Sequence, residues 1–348
     1  MREAFSVYGA AIRSSAPFLL IVAAYALAAS LYLRGFGLPQ SAPASYMVNA
    51  FLYGAAAIVT LLVALPAHAL VRKSYNPIRA LPDFYRDLQL ADRIIFALPA
   101  IIGVLFLGTA FTGVKSAIPH VVPFSFDPWF ADVDAMLHGG DAWLLIQPLV
   151  GYPIVSFVIN FIYDSWLLAL YFVFLLFALW MERPRLRQQF LVSYALCWIV
   201  LGSIAATLMA SVGPCFYDDF FGSDRYAPLM QYLGQASAQY PMSVLEVQQR
   251  LLDWSDTETI NVGRGISAMP SMHISIAMLY ALAGARISRF WGWVGAIYTL
   301  LILVGSVHLG YHYAIDGYLS IIATAAIWFA VGRAQQYFKH KKSHAPAN

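Results

Sequence analysis

Charge is scarce in this chain. Only 11% of its 348 residues are Asp, Glu, Lys or Arg, against 60% hydrophobic residues and a mean hydropathy of +0.66. A soluble globular domain carries about 25% charge, so composition excludes that class and points to the membrane. Cysteine is scarce too: there are two, too few for a disulfide framework. Cys197 lies inside an apolar run and Cys215 just after one, so both read as free thiols. A net charge of +3 is too small to call for a nucleic-acid partner, and no motif asks for a cofactor. No Asn-x-Ser/Thr acceptor occurs, which favours a bacterial inner membrane over a membrane of the secretory pathway. No internal repeat of about 20–50 residues is visible.

Long apolar runs are abundant. They cover residues 16–33, 46–71, 94–114, 154–181, 190–212, 271–285, 291–311 and 317–331. Most approach the roughly 17–25 residues that a bilayer requires, the sixth being short. Arg2 and Arg13 ahead of the first run give it the outline of a signal peptide, but it is longer than an h-region and reads as a retained helix. The expectation is an all-α integral membrane protein of about eight transmembrane helices. Residues 1–114 would supply N-terminal helices, 115–336 a membrane domain, and 337–348 a basic tail.

Lys and Arg set the orientation. With the N-terminus in the cytoplasm, eight spans leave sixteen of the 21 basic residues inside and five outside: Arg34, Lys115, Arg225, Arg250 and Arg264. That asymmetry follows the positive-inside rule and supports an even number of crossings.

Two stretches that do not cross then fall outside. Residues 115–150 mix Phe124, Phe126, Trp129, Phe130 and Trp143 with Asp127, Asp132, Asp134 and Asp141, which suits a segment lying in the interface. Residues 214–269 are too long to be an idle connection and read as a cap over the spans. Within them Ser243-Val-Leu-Glu246 has the form of a capping box opening an amphipathic helix through Trp254.

The same topology gathers the ionisable residues. His273 opens the sixth span, His308 and His312 close the seventh, Asp316 opens the eighth, and Arg264 precedes the sixth. All meet at one face, and ionisable groups at membrane depth are functional candidates by default. His312 and Asp316 stand four apart, the spacing of a shared helical face, where the carboxylate would fix the imidazole tautomer and leave the other nitrogen basic. Ser271 and His273 sit at the first turn of a helix, an anion-binding position, and Arg264 adds a bidentate donor for phosphate. Anion cradle, nucleophilic histidine and acid histidine together describe phosphoryl transfer. A metal site of His308, His312, Asp316 and His273 is the alternative at these residues. Asp164, inside the fourth span, suits a transporter's proton relay or a hydrogen bond between helices.

Ala268-Met-Pro-Ser-Met-His273 resembles the second signature of the type 2 phosphatidic acid phosphatase superfamily, usually Pro-Ser-Gly-His. His312-Tyr-Ala-Ile-Asp316 resembles the end of its third. The Met before His273 and the His-Tyr pair are closer to the branch related to fungal inositol phosphorylceramide synthase. In that branch Ser211-Val-Gly-Pro-Cys-Phe-Tyr217 corresponds to a motif closing a membrane helix, and residues 127–143 to an interfacial segment. The resemblance implies a six-helix catalytic core and a metal-independent reaction. His312 would be the nucleophile, Asp316 its orienting partner and His273 the acid and base.

The sequence departs from the superfamily in two places. Ser306 stands where the third signature has arginine, and the first signature has no clean match, Lys115 being a faint echo. Phosphate binding would then fall to Arg264, Lys115 and Ser271, with His308 and Asp164 as supporting groups. The implied partners are a phospholipid donor and an alcohol acceptor, with water as the acceptor in the phosphatase alternative.

Overall fold

The computed structural model describes residues 2–40, 43–73, 77–255 and 265–343, and among them every regular element is helical. The helices are α1 (Arg2–Gly35), α2 (Pro43–Val71), α3 (Pro77–Asp87), α4 (Leu90–Val121), α5 (Asp127–His138), α6 (Ala142–Val150) and α7 (Pro153–Ala178). Then follow α8 (Pro184–Leu208), α9 (Ala227–Gln239), α10 (Ser243–Ser255), α11 (Met272–Ile287), α12 (Arg289–His308) and α13 (Ala314–Ser343).

Seven of these are long and apolar enough to cross a membrane: α1, α2, α4, α7, α8, α12 and α13. This is an all-α integral membrane protein. Met47, Phe51, Leu62 and Leu70 on α2 are exposed, as apolar side chains facing lipid are. The sixth expected span, α11, has 16 residues. At 1.5 Å per residue it reaches about 24 Å, short of a hydrocarbon core of about 30 Å. It runs through the protein interior instead, half of its residues buried.

Two sequence expectations shift. The third span continues to Val121, so Lys115 projects from a membrane helix rather than opening an interfacial segment. A short helix that the apolar runs do not reveal, α3, precedes it. Phe84 of α3 is buried against the His68 ring, and Asp87 pairs with His68 and Arg72, which hold its carboxyl below the usual carboxylate range.

Packing relies on small residues where helices cross. A Cβ on Gly295 of α12 would lie 2.4 Å from the Ala281 Cα of α11, so only glycine permits that approach. One polar group holds the bundle as well. Arg187 on α8 is fully buried and lies over the Phe96 ring, with 4.5 Å from guanidinium carbon to ring centre. It donates to the Ser14 and Ser15 hydroxyls at 3.0 and 3.1 Å and to the Ala178 carbonyl at 3.1 Å. Among the described residues it pairs with no carboxylate, and hydrogen bonds together with the Phe96 ring tie α1, α4, α7 and α8.

Candidate active site

The turn between α12 and α13 positions the first pair. Helix α12 ends at His308, and Gly310, at φ 76°, turns the chain before α13 begins at Ala314. The amides of Tyr311 and His312 both donate to the Ser306 carbonyl, at 3.0 and 3.2 Å. Asp316, in the first turn of α13, accepts from the Tyr313 amide at 3.1 Å through the same oxygen that lies 3.2 Å from His312 Nδ1. The expected pairing therefore forms, but not along one helical face: His312 precedes the helix and folds back onto its first turn. Asp316 is fully buried, and its other oxygen has no hydrogen-bond partner among the described residues.

Helix α5 braces this turn. Asp127 accepts from the Val212 amide at 2.9 Å, the Gly213 amide at 2.8 Å and the Tyr313 hydroxyl at 2.9 Å. Asp134, two turns further along the same face, accepts from the Ile315 amide at 3.1 Å. Burial pushes both carboxyls above the usual range, and the amides they accept from pull them part of the way back. Gly213 has φ 91°, and a Cβ there would sit 2.5 Å from the Tyr311 carbonyl oxygen. Any side chain would push the 211–217 segment away from the turn.

Three segments distant in sequence are thereby stitched together. The Ala268 amide donates to the Ser211 carbonyl and the Met269 amide to the Ser211 hydroxyl, at 2.9 and 3.0 Å. The Cys215 amide donates to the Gly310 carbonyl at 2.7 Å. Cys197 and Cys215 are buried free thiols, as the sequence suggests.

His273 lies in the first turn of α11, with Ser271 as the capping residue whose hydroxyl accepts from the Ile274 amide. Its ring sits 4.7 Å from Tyr163, nearly parallel, and 4.2 Å from Trp166, centre to centre. The His312 ring is 6.0 Å away. Between the histidines opens a cavity of about 270 Å³, lined also by Lys115, Thr112, Pro270 and Tyr311. It continues past Trp198 and Leu107 to Asn49, Tyr53 and Tyr171, where α2 and α7 meet. Lys115 makes no ion pair with the described residues. A π-helical stretch in α8, Cys197–Ala205, places Trp198 and Gly202 on the cavity wall.

A family model described as PAP2 superfamily matches residues 128–331, more than half of the chain. The chain belongs to the PAP2 superfamily. No curated protein and no solved structure matches it. Membership makes this a phosphatase-type membrane enzyme, and the matched range contains both histidines, Asp316 and the 211–217 segment. Helices α1 to α4 lie outside it, although α2 and α4, the latter through Lys115, form part of the cavity wall.

The remaining sequence candidates separate. Ser271 spends its hydroxyl on the α11 cap. Ser306, the departure from the PAP2 pattern, is buried with its hydroxyl donating to the Leu303 carbonyl. His308 is buried away from the cavity, its Nε2 hydrogen-bonded to the Ser156 hydroxyl at 2.8 Å, with Tyr232 against its ring. The four-ligand grouping of His308 with His312, Asp316 and His273 therefore does not form. Asp164 hydrogen-bonds to Asn160 at 2.9 Å and to the Ser243 hydroxyl, so it anchors α10. Ser243 is thereby drawn to α7, and the Val244 amide is satisfied by Asn160. Arg264 lies outside the described residues.

Cap contacts are also visible. Gln248 of α10 donates to the Leu309 carbonyl at 2.8 Å, and Leu251 reaches the cavity. Arg225 bridges Asp132 and Asp141, at 2.7 and 2.8 Å, fixing the chain before α9 to α5 and the start of α6. Sequence reasoning missed Tyr163 and Trp166 as the walls of His273, and Asp127 as the clamp on the turn. The spacing of Tyr163 and Trp166, three apart on one face of α7, was the available signal.

Proposed function

We propose that this PAP2-superfamily enzyme is a lipid phosphotransferase working through a phosphohistidine. His312 Nε2 attacks phosphorus while Nδ1–H stays bonded to Asp316. The P–O bond to the leaving alcohol breaks, and His273 supplies the proton that the departing oxygen takes up. His273, now a base, removes a proton from the acceptor hydroxyl, whose oxygen attacks the phosphorus and releases His312. Lys115 balances charge on the non-bridging oxygens. Atoms and charge return to their starting state with the headgroup moved from one alcohol to another.

The observation that carries this reading is the shared cavity: Lys115, His273 and His312 line one end, and an aromatic and apolar branch extends from them between membrane helices. Polar groups for one phosphate beside room for a hydrocarbon chain suit a phospholipid better than a soluble ester. The centre-to-centre distance of 6.0 Å between the imidazoles leaves a phosphoryl group in reach of both. Trp166, Tyr163 and Leu251 limit water at that end, which favours a bound alcohol over hydrolysis. The synthase-like motif details point the same way. Counted over eight crossings, the charge asymmetry of the sequence favours the non-cytoplasmic face for the site, in a bacterial inner membrane the periplasmic one.

The test is purified protein with a labelled phospholipid, with and without polyol or ceramide-like acceptors, in the presence of a chelator. Acceptor-dependent formation of a new phosphodiester lipid, undiminished by the chelator, is expected. Stoichiometric release of inorganic phosphate from a phosphomonoester, indifferent to any acceptor, would make it a phosphatase.

A further inference from the structure

A second cavity, of about 770 Å³, lies at the other end of the molecule. Helices α8, α11 and α13 each have one end near the histidines and the other at this groove. Along α11 the distance is about 24 Å. Five cations line it: Arg183, Arg185, Arg286, Arg333 and Lys339. No acidic residue lines it, and among the described residues none of the five is in an ion pair.

That contrasts with the neighbouring basic residues. Arg72 is matched by Asp87, Arg86 by Asp83 and Arg93 by Glu182. A solvated basic end would scatter its charges outward, whereas these five converge from three helices and a loop on one hollow. Arg183 donates to the Arg286 carbonyl at 3.0 Å and lies over the Trp180 ring, but among the described residues no carboxylate offsets the positive charge gathered here, which favours an anion in the groove.

The geometry points to a binding site for the headgroup of an anionic phospholipid, in the leaflet opposite the histidine cavity. The groove grades along α13 from Trp328 and Phe329, through Gly332 and Arg333, to Lys339, which is the polarity order of a lipid from chain to phosphate. Phe329 is exposed, giving a chain an apolar surface beside the charges. Gly332 keeps the floor open, since a Cβ there would come within 2.8 Å of the Gln189 amide nitrogen. Gln189 itself is committed to the Trp328 carbonyl at 3.0 Å. Basic pockets between membrane helices recognise phosphate headgroups by this combination of charge and adjoining hydrocarbon surface. A zwitterionic headgroup fits less well, because no carboxylate is present for its ammonium.

Full-length His312→Ala protein, titrated in detergent and read by native mass spectrometry, tests the proposal without turnover of the lipid. Its outcome is separate from the phosphotransfer reading, because the variant removes that chemistry. Phosphatidylglycerol is expected to bind at least about tenfold more tightly than phosphatidylcholine. Adding Arg185→Gln, Arg286→Gln and Arg333→Gln should weaken phosphatidylglycerol about 100-fold, at about 1 kcal/mol for each charge. Lys339→Gln alone, an exposed change that leaves the fold untouched, should weaken it about fivefold. Equal binding of the two lipids, or unchanged phosphatidylglycerol binding in both charge variants, would overturn the proposal. Displacement by millimolar inorganic phosphate would also overturn it, by making the groove a site for a free anion.

Discussion

Replacing Asp316 with Asn probes the chemistry most directly. Asp316 presents one oxygen to His312 Nδ1 at 3.2 Å and to the Tyr313 amide at 3.1 Å, and it is fully buried. When His312 becomes phosphorylated, its ring gains positive charge beside the carboxylate. At that separation, with an effective dielectric of about 20, the attraction is worth about 5 kcal/mol, or between three and four orders of magnitude in rate. Asparagine keeps the shape and can still accept from Tyr313, so it recovers a small part. It can also turn its amide toward Nδ1, which moves the ring proton to Nε2 and disables the nucleophile. The expected loss in kcat is about 10³-fold with KM within a few-fold, because phosphate binding lies elsewhere. Rapid-quench detection of phosphohistidine with labelled phospholipid should show the first step slowed by the same factor. An Asn variant within tenfold of the parent enzyme would refute the role given to the pair.

His312→Ala should lose about three or more orders of magnitude, whereas His308→Ala, removed from the cavity, should keep measurable turnover in the same assay. Lys115→Met is expected to lower kcat/KM by about 10–100-fold, with part recovered by Arg, since it deletes the one cation described at the phosphate end of the cavity. Arg187→Met leaves the Ser14, Ser15 and Ala178 groups without their donor and should destabilise the fold by about 3 kcal/mol, read as a lowered thermal-unfolding midpoint. Ser223→Cys should be labelled by an impermeant thiol reagent in intact cells. Labelling only after permeabilisation would invert the topology.

The sequence by itself determined the class of the molecule and most of its helices. Hydrophobic length is a local property, and a bilayer reads it one segment at a time. It also determined that His273, His312 and Asp316 would meet, because alternating crossings bring the ends of successive spans to one face. The pairing of His312 with Asp316 was legible for the same reason: four residues of chain separate them, whether or not a helix joins them. Length alone showed that α11 is short, but not that it runs inside the protein, since burial among neighbours decides that.

Only the tertiary structure decided what surrounds the site. Asp127 reaches Tyr313 across 186 positions of sequence, and Tyr163 and Trp166 enclose His273 from another span. It also set His308 and Asp164, equal candidates by residue type, apart from the cavity in hydrogen bonds of their own. Helices α2 and α4, outside the family match, contribute to the cavity wall through contacts that no local pattern announces. The physical reason is the same in each case. The hydrophobic period places a helix in the membrane, but side chains meet across helices through packing and hydrogen bonds between residues far apart in the chain, and those exist only once the bundle has closed.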